Sequence, residues 1–179
     1  MSSKLNVAEI IRGHFATLRT TEGLRSRFDI FSFTIIPLLI TGALWLAHYD
    51  LTSELRSLLV NFGAIFTALL LSVLVLVYDQ ERKCGEIEST NALARQRKKL
   101  LHDLYYNISF SIICAIALVI ASMIHAVVGA YPIKFSLGPC QISESVGSIF
   151  VTPLVVYITA TVFLNVVMIV KRMHALLTT

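Results

Sequence analysis

Charge is what this chain has least of. Only 15% of its 179 residues are Asp, Glu, Lys or Arg, whereas 56% are hydrophobic and the mean hydropathy is +0.76. Ordinary globular chains carry roughly 25% charged residues. A soluble fold of this length has no way to hide so much apolar surface, so the expected solvent is lipid. The centres of the long apolar runs hold no Asp, Glu, Lys or Arg. Such groups are costly at membrane depth and are kept there for proton relays, ion-coupled transport or intramembrane proteolysis. Their absence argues against a transporter or an intramembrane enzyme. The three cysteines, Cys84, Cys114 and Cys140, show no CxxC spacing and fall in three different expected locations, which argues against an internal disulfide framework. Cys140 reads as a free thiol, with pairing between subunits as the alternative. GxSxG, GxGxxG and the phosphate-binding Gly-rich loop are all missing. His48 and His125 fall near one expected membrane interface, with no second ligand at i+3 or i+4 and no carboxylate or Cys cluster, so they read as interfacial hydrogen-bonding groups. The expectation is no enzyme, no metal and no cofactor.

What is present is a pattern of spans. Residues 30–48, 55–78, 105–128 and 146–170 are apolar and near the ~20 residues that cross about 30 Å of hydrocarbon. They predict an all-α integral membrane protein with four transmembrane helices, an N-terminal amphipathic helix in a cytoplasmic segment 1–29, and a cytoplasmic helical hairpin extension. The opening is polar and acid-bearing and does not read as a signal peptide, so the first run is expected to remain in the mature chain. Asn6 and Glu9 have capping-box spacing, and Val7, Ile11, Phe15 and Leu18 form an apolar stripe. This helix lies either in the headgroup layer or against the bundle or a neighbouring subunit. Gly23 is expected to end it, and Ser26 with Asp29 signals the start of the next helix. Pro37 lies inside the first span, where a kink is expected. Trp45 and Tyr49 mark its far interface. The short connection predicts that spans one and two form an antiparallel hairpin, with Asp50, Thr52 or Ser53 capping the second. Gly63, Ala64, Thr67, Ala68 and Ser72 in that second span are a small-residue set that permits close helix approach, within or between subunits. Asn61 and Asn165 read as interhelical hydrogen-bonding groups. The loop 129–145, punctuated by Gly129, Pro132, Gly138 and Pro139, is expected to be irregular, with a re-entrant or interfacial piece possible.

Thirteen of the fifteen Lys and Arg residues lie before the first span, in the central loop 79–104, or in the tail 171–179. Only Arg56 and Lys134 lie on the other side. The positive-inside rule then places both termini and the central loop in the cytoplasm. Within that loop the charge is segregated. Asp79, Glu81, Glu86 and Glu88 outweigh Arg82 and Lys83, whereas Arg95, Arg97, Lys98 and Lys99 outweigh Asp103. On a helix, Arg95, Lys98, Lys99 and His102 share one face, with Leu93, Leu100, Leu101 and Leu104 largely on the other. If both flanking spans continue as helices, an acidic and a basic arm run along each other. These residues pair with one another, meet lipid headgroups, or form a docking face for an acidic soluble protein. Direct nucleic-acid binding is disfavoured, since no aromatics interleave the basic residues.

The amphipathic opening NVAEIIRGHFATLR, the charged lead-in RSRFD, the four spans and the charged central hairpin together resemble small four-span inner-membrane subunits of bacterial antiphage defence systems, such as that of Kiwa. The resemblance is one of layout over most of the chain. It implies a homo-oligomer in the inner membrane that senses an event at the envelope and acts through a cytosolic partner, which for Kiwa is a DNA-binding protein. The expected function is a non-enzymatic sensor or scaffold that recruits or regulates a cytosolic protein through residues 79–104. The alternative is a pore-forming or membrane-disrupting effector, weakened by the shortage of polar lining residues.

Overall fold

A computed structural model describes residues 7–18, 27–86, 92–129, 131–137 and 140–178. The elements in chain order are α1 (Val7–Thr17), α2 (Arg27–Leu46), α3 (Ser53–Glu86), α4 (Ala92–Val128), the strands β1 (Pro132–Leu137) and β2 (Cys140–Ser145), a π-helical turn Gly147–Val151, and α5 (Thr152–Thr178). Among the described residues three helices are long and apolar enough to cross a membrane: Ser53–Lys83, Arg95–Val128 and Gly147–Leu176. That is the pattern of a multi-pass membrane protein. The described apolar run of α2, Phe33–Leu46, is shorter.

The core is built around α4. Leu104, Ile108, Ser111, Ala115, Leu118, Ser122 and His125 are all buried, spaced alternately four and three apart, which makes a continuous seam down one side of the helix. At one end Leu104, Ile108 and Ile112 pack with Leu70 and Val77 of α3 and Ile169 of α5. At the other, Leu118 and Ala121 pack with Leu51, Val151 and Val155. Ala115 and Ser111 keep the middle of the seam thin. Gly63 does the same from α3: a Cβ there would lie 2.7 Å from Val119 Cγ2 and 3.2 Å from the Ala115 carbonyl oxygen. Most side chains on the outward faces are large and apolar, among them Leu58, Ile65, Leu69, Val75, Ile120 and Val127. Such a surface is stable in hydrocarbon and not in water.

The short connection after α2 does not make α2 and α3 a packed pair. α2 lies on α5, while α3 lies on α4. The turn explains why. His48 adopts φ 51°. The Tyr49 amide bonds the Leu44 carbonyl (3.0 Å) and the His48 amide bonds the Trp45 carbonyl (3.1 Å), a Schellman ending with a non-glycine residue in the left-handed position. The chain then crosses the end of the bundle. Leu51 enters the core, and the Asp50 carboxylate accepts from Thr152 Oγ1 at the start of α5 (3.3 Å). Thr52 caps α3, its Oγ1 accepting from the Leu55 amide at 3.3 Å.

The loop 129–145 was expected to be irregular and instead contains an antiparallel hairpin, with Pro132 opposite Ser145 and Leu137 opposite Cys140. The strand signal is present in the sequence: Ile133, Phe135 and Leu137 alternate with Lys134 and Ser136. Gly138 and Pro139 lie outside the described residues. Gly129 and Gly147 let α4 end against the π-helical turn. A Cβ on Gly147 would approach the Gly129 Cα to 2.7 Å.

Candidate functional site

Two groups of charged and hydrogen-bonded side chains lie at the two ends of the bundle. At the end carrying the hairpin arms, α3 and α4 run well past the length that hydrocarbon requires. They are 34 and 37 residues long, about 50 Å at 1.5 Å per residue against roughly 30 Å of hydrocarbon. Their tips therefore stand as a helical hairpin beyond the apolar part of the bundle. Arg95, Arg97, Lys98 and Lys99 are all exposed on it, and none makes a close ion pair among the described residues. Leu101 and Leu104 are buried against α3, so the apolar face of this segment anchors the basic one. The acidic and basic arms touch where His102 Nδ1 meets Glu81 Oε1 at 2.9 Å. Asp79 is held by Lys83 of its own helix at 2.8 Å, an exposed i,i+4 pair of small energetic value. The Glu86 side chain and Glu88 lie outside the described residues, as do the Leu93 side chain and the Asn6, Gly23 and Ser26 signals.

Beside the base of this hairpin α1 is strapped onto α4. The face it buries takes in only part of the expected apolar stripe: Leu18 is buried and Ile11 half-buried. His14, Thr17 and Leu18 are buried, whereas Val7 and Phe15 of that stripe are 40% and 45% exposed. Gly13 makes the approach possible, since a Cβ there would fall inside the ring of Tyr106. His14 stacks on Phe110 with ring centroids 4.0 Å apart, and its Nδ1 lies 2.9 Å from Asn107 Oδ1. The acceptor is a carbonyl oxygen, so His14 donates and is neutral with its proton on Nδ1. Thr17 Oγ1 shares its hydrogen between Asn107 Oδ1 (3.0 Å) and the His14 carbonyl (2.7 Å). Arg172 of α5 closes the arrangement. Its Nη2 donates to the Thr17 carbonyl at 2.7 Å, placing a cation on the C-terminal end of α1, and its Nη1 lies 3.9 Å from Asp103. One guanidinium thus links α1, α4 and α5.

Burial lowers the His14 pKa to about 4; the Asn107 bond opposes this, and the nearby Arg172 adds to it. The sign of the pH effect follows. Between the ordinary value of 6.5 and about 4 the released helix takes up a proton that the docked helix refuses. The stabilisation is therefore complete above pH 6.5, falls as the pH drops through this window, and levels out below it. At about 1.4 kcal/mol per pH unit this amounts to about 3 kcal/mol. Equilibrium unfolding in mild detergent across this range checks it. The wild type is expected to lose this increment, whereas His14→Gln, which has no titrating ring, is expected to lack it; parallel pH curves would refute the assignment.

At the opposite end four polar side chains form a directional chain. Arg56 Nη1 lies 3.2 Å from His125 Nδ1, His125 Nε2 lies 3.1 Å from Thr152 Oγ1, and Thr152 Oγ1 donates to Asp50 Oδ1. An arginine only donates, so His125 accepts at Nδ1 and carries its hydrogen on Nε2. It therefore has no lone pair to offer Thr152, the reverse of nucleophile activation. The chain ties the α2–α3 connection, α3, α4 and α5 together. His125 is thus a hydrogen-bonding group near one end of a span, the role its sequence position suggested. Among the described residues no three His, Cys, Asp or Glu side chains are grouped so as to hold a metal ion.

The small-residue set of α3 divides. Gly63 is buried against α4, Thr67 is half-buried with Oγ1 bonded to the Gly63 carbonyl (2.7 Å), and Ala64, Ala68 and Ser72 face outward. Neither expected asparagine bridges helices. Asn165 is buried but bonds its own helix at Thr161 (2.9 Å), and Asn61 is exposed on the outward face. The bridging asparagine is Asn107, which sequence reasoning passed over together with His14 and Arg172. An Asn at the start of a span next to a His-bearing amphipathic helix was the only signal, and it has no fixed spacing to reveal it. The chain matches no protein-family model, no curated protein and no solved structure.

Proposed function

We propose that this chain is a four-span, non-enzymatic sensor or scaffold subunit of a cell inner membrane, of the kind found in bacterial antiphage defence, that recruits a soluble cytosolic protein through its helical hairpin. In this reading α2 is the first of four spans, both termini and the hairpin are cytoplasmic by the positive-inside rule, and the chain works as a homo-oligomer. The observation that carries the proposal is the basic tip. Arg95, Arg97, Lys98 and Lys99 are exposed together on a rigid helix whose apolar side is already packed. A preformed cationic face of this kind favours an acidic protein surface and accelerates encounter with it. The outward Ala64, Ala68 and Ser72, with Asn61 on the same face, are the natural contact between subunits, because a polar group in a span normally faces protein. The pore reading gains nothing from the seam of α4, which is filled by Leu104, Ile108 and Leu118.

The test is purification in mild detergent followed by native mass measurement. Wild-type protein is expected to carry a soluble companion at low salt. Reversal of Arg95, Lys98 and Lys99 to Glu is expected to remove that companion by at least tenfold and leave the subunit count unchanged. A companion retained by the reversed protein would place the docking surface elsewhere.

A further inference from the structure

Because α2 packs on α5 and α3 on α4, an apolar groove of about 790 Å³ is left between the two consecutive helices. Ile36, Ile40 and Leu44 of α2 form one wall, Leu55 and Leu59 of α3 the other, and α5 from Val155 to Val167 forms the floor. Phe163 stacks on Phe62 (5.6 Å) and bridges α5 to α3 along it. At the Asp50 end this groove shares Tyr49 as a wall with a more polar cup of about 590 Å³, lined by Trp45, Leu46, His48, Tyr49, Asp50, Ser148 and Ile149.

We propose that this composite site binds one phospholipid with an amine-bearing headgroup, its acyl chain in the groove and its ammonium in the cup. Three observations select that occupant. The first is length. Val155 to Val167 rises about 18 Å at 1.5 Å per residue, close to one leaflet, or half of the ~30 Å hydrocarbon layer, so an acyl chain of the leaflet on this side lies along the floor without crossing the midplane. The second is polarity. The change from apolar groove to polar cup falls at Tyr49 and Trp45, residue types that settle at the headgroup boundary, so tail and headgroup divide where the site does. The third is charge. Asp50 Oδ1 is engaged by the Leu51 amide (2.9 Å) and Thr152 Oγ1 (3.3 Å), and these hold a mostly exposed carboxylate in the cup that Trp45 and Tyr49 also line. A carboxylate beside Trp and Tyr attracts an ammonium by charge and by cation–π contact. It repels an anionic headgroup. His48, held in its left-handed turn, fixes the rim that carries these groups.

The site is independent of the basic tip and stands whether or not a cytosolic partner exists. The experiment uses the full chain, reconstituted in nanodiscs of equal parts phosphatidylethanolamine and phosphatidylglycerol, extracted in mild detergent and weighed by native mass spectrometry. One phosphatidylethanolamine per protomer is expected to be retained, at least tenfold over phosphatidylglycerol. Ala160→Trp, which fills the groove floor, is expected to abolish retention with the subunit count and melting temperature unchanged. Asp50→Asn is expected to remove the headgroup preference while a lipid is still retained. Retention of both lipids equally by the wild type overturns the proposal, as does undiminished retention by Ala160→Trp. A changed subunit number in Ala160→Trp also overturns it, because the groove would then be covered by another copy of the chain.

Discussion

Gly63→Leu is expected to be among the most damaging single substitutions in the membrane part of this protein. The hydrogen on the Gly63 Cα is all that fits between α3 and α4 at that level. A Cβ alone would sit 2.7 Å from Val119 Cγ2 and 3.2 Å from the Ala115 carbonyl oxygen. Neither neighbour yields easily, since a valine in a helix has essentially one rotamer and the carbonyl belongs to the central helix. The isobutyl group of leucine therefore forces the helices apart, and the α4 seam loses its fit against Leu70 and Phe66. Overpacking of this type costs about 3 kcal/mol or more when the backbone has to move. The control is one residue away. Ala64 faces outward, so Ala64→Leu is expected to leave the protomer's melting temperature within experimental error. If subunits meet on the Ala64–Ala68–Ser72 face, the same change alters the subunit number seen by native mass. A Gly63→Leu protein that melts with the wild type would show that α3 and α4 do not approach as closely as described.

This pair of neighbouring positions shows how far the sequence could be read. The small residues Gly63, Ala64, Thr67, Ala68 and Ser72 announced close packing, but a small-residue set is the same string whether its partner is α4 or a second subunit. Only the phase of the helix separates the inward Gly63 from the outward Ala64. The three long membrane-crossing helices were legible for a stronger reason: an apolar run long enough to cross hydrocarbon has few other uses. The continuation of α3 and α4 into charged arms was legible from the absence of Gly–Pro punctuation between Tyr78 and Arg82 and between Arg95 and Tyr105. The pairing of helices was not. A short connection implies adjacency only if nothing else holds it, and here Asp50 is held by Thr152, far along the chain. The polar clusters were hidden for the same reason. His14, Asn107 and Arg172 lie in three separate segments, and each alone looks like an ordinary interfacial residue. The α1 stripe was only partly legible, because an amphipathic helix is expected to bury its whole apolar side and here Leu18 alone of that stripe is fully buried. This helix buries hydrogen-bonding groups, which Asn107 and Arg172 satisfy, and leaves Phe15 outward.

Asn107 is therefore the residue on which the position of α1 depends, and Asn107→Leu is expected to release that helix without unfolding the bundle. Leucine is close in size to asparagine but accepts no hydrogen bond. His14 Nδ1 and Thr17 Oγ1 would both lose the oxygen they now face at 2.9 and 3.0 Å. Leaving a buried donor unsatisfied costs about 1–3 kcal/mol, and both groups are on α1. The chain has a cheap escape, because α1 can leave α4 and return its polar groups to water while α2 to α5 keep their contacts. Thr17 Oγ1 keeps the His14 carbonyl at 2.7 Å, so the one orphaned donor, His14 Nδ1, shifts the docking equilibrium by roughly ten- to a hundredfold, at tenfold per 1.4 kcal/mol. Trypsin reads the outcome directly. Arg12 is exposed in α1 but protected there by helical backbone, and its peptide bond becomes cleavable once the undocked helix frays. Cleavage after Arg12 is expected to accelerate by one to two orders of magnitude in Asn107→Leu, with the melting temperature of the remaining bundle little changed. A triple variant, Asn107→Leu with His14→Leu and Thr17→Val, removes donors and acceptor together. It is expected to restore most of the protection, because apolar groups of similar shape replace a satisfied polar set at little net cost. If Asn107→Leu alone cleaves at the wild-type rate, α1 is held by Gly13 against Tyr106 and by Arg172, and the buried hydrogen bonds are secondary.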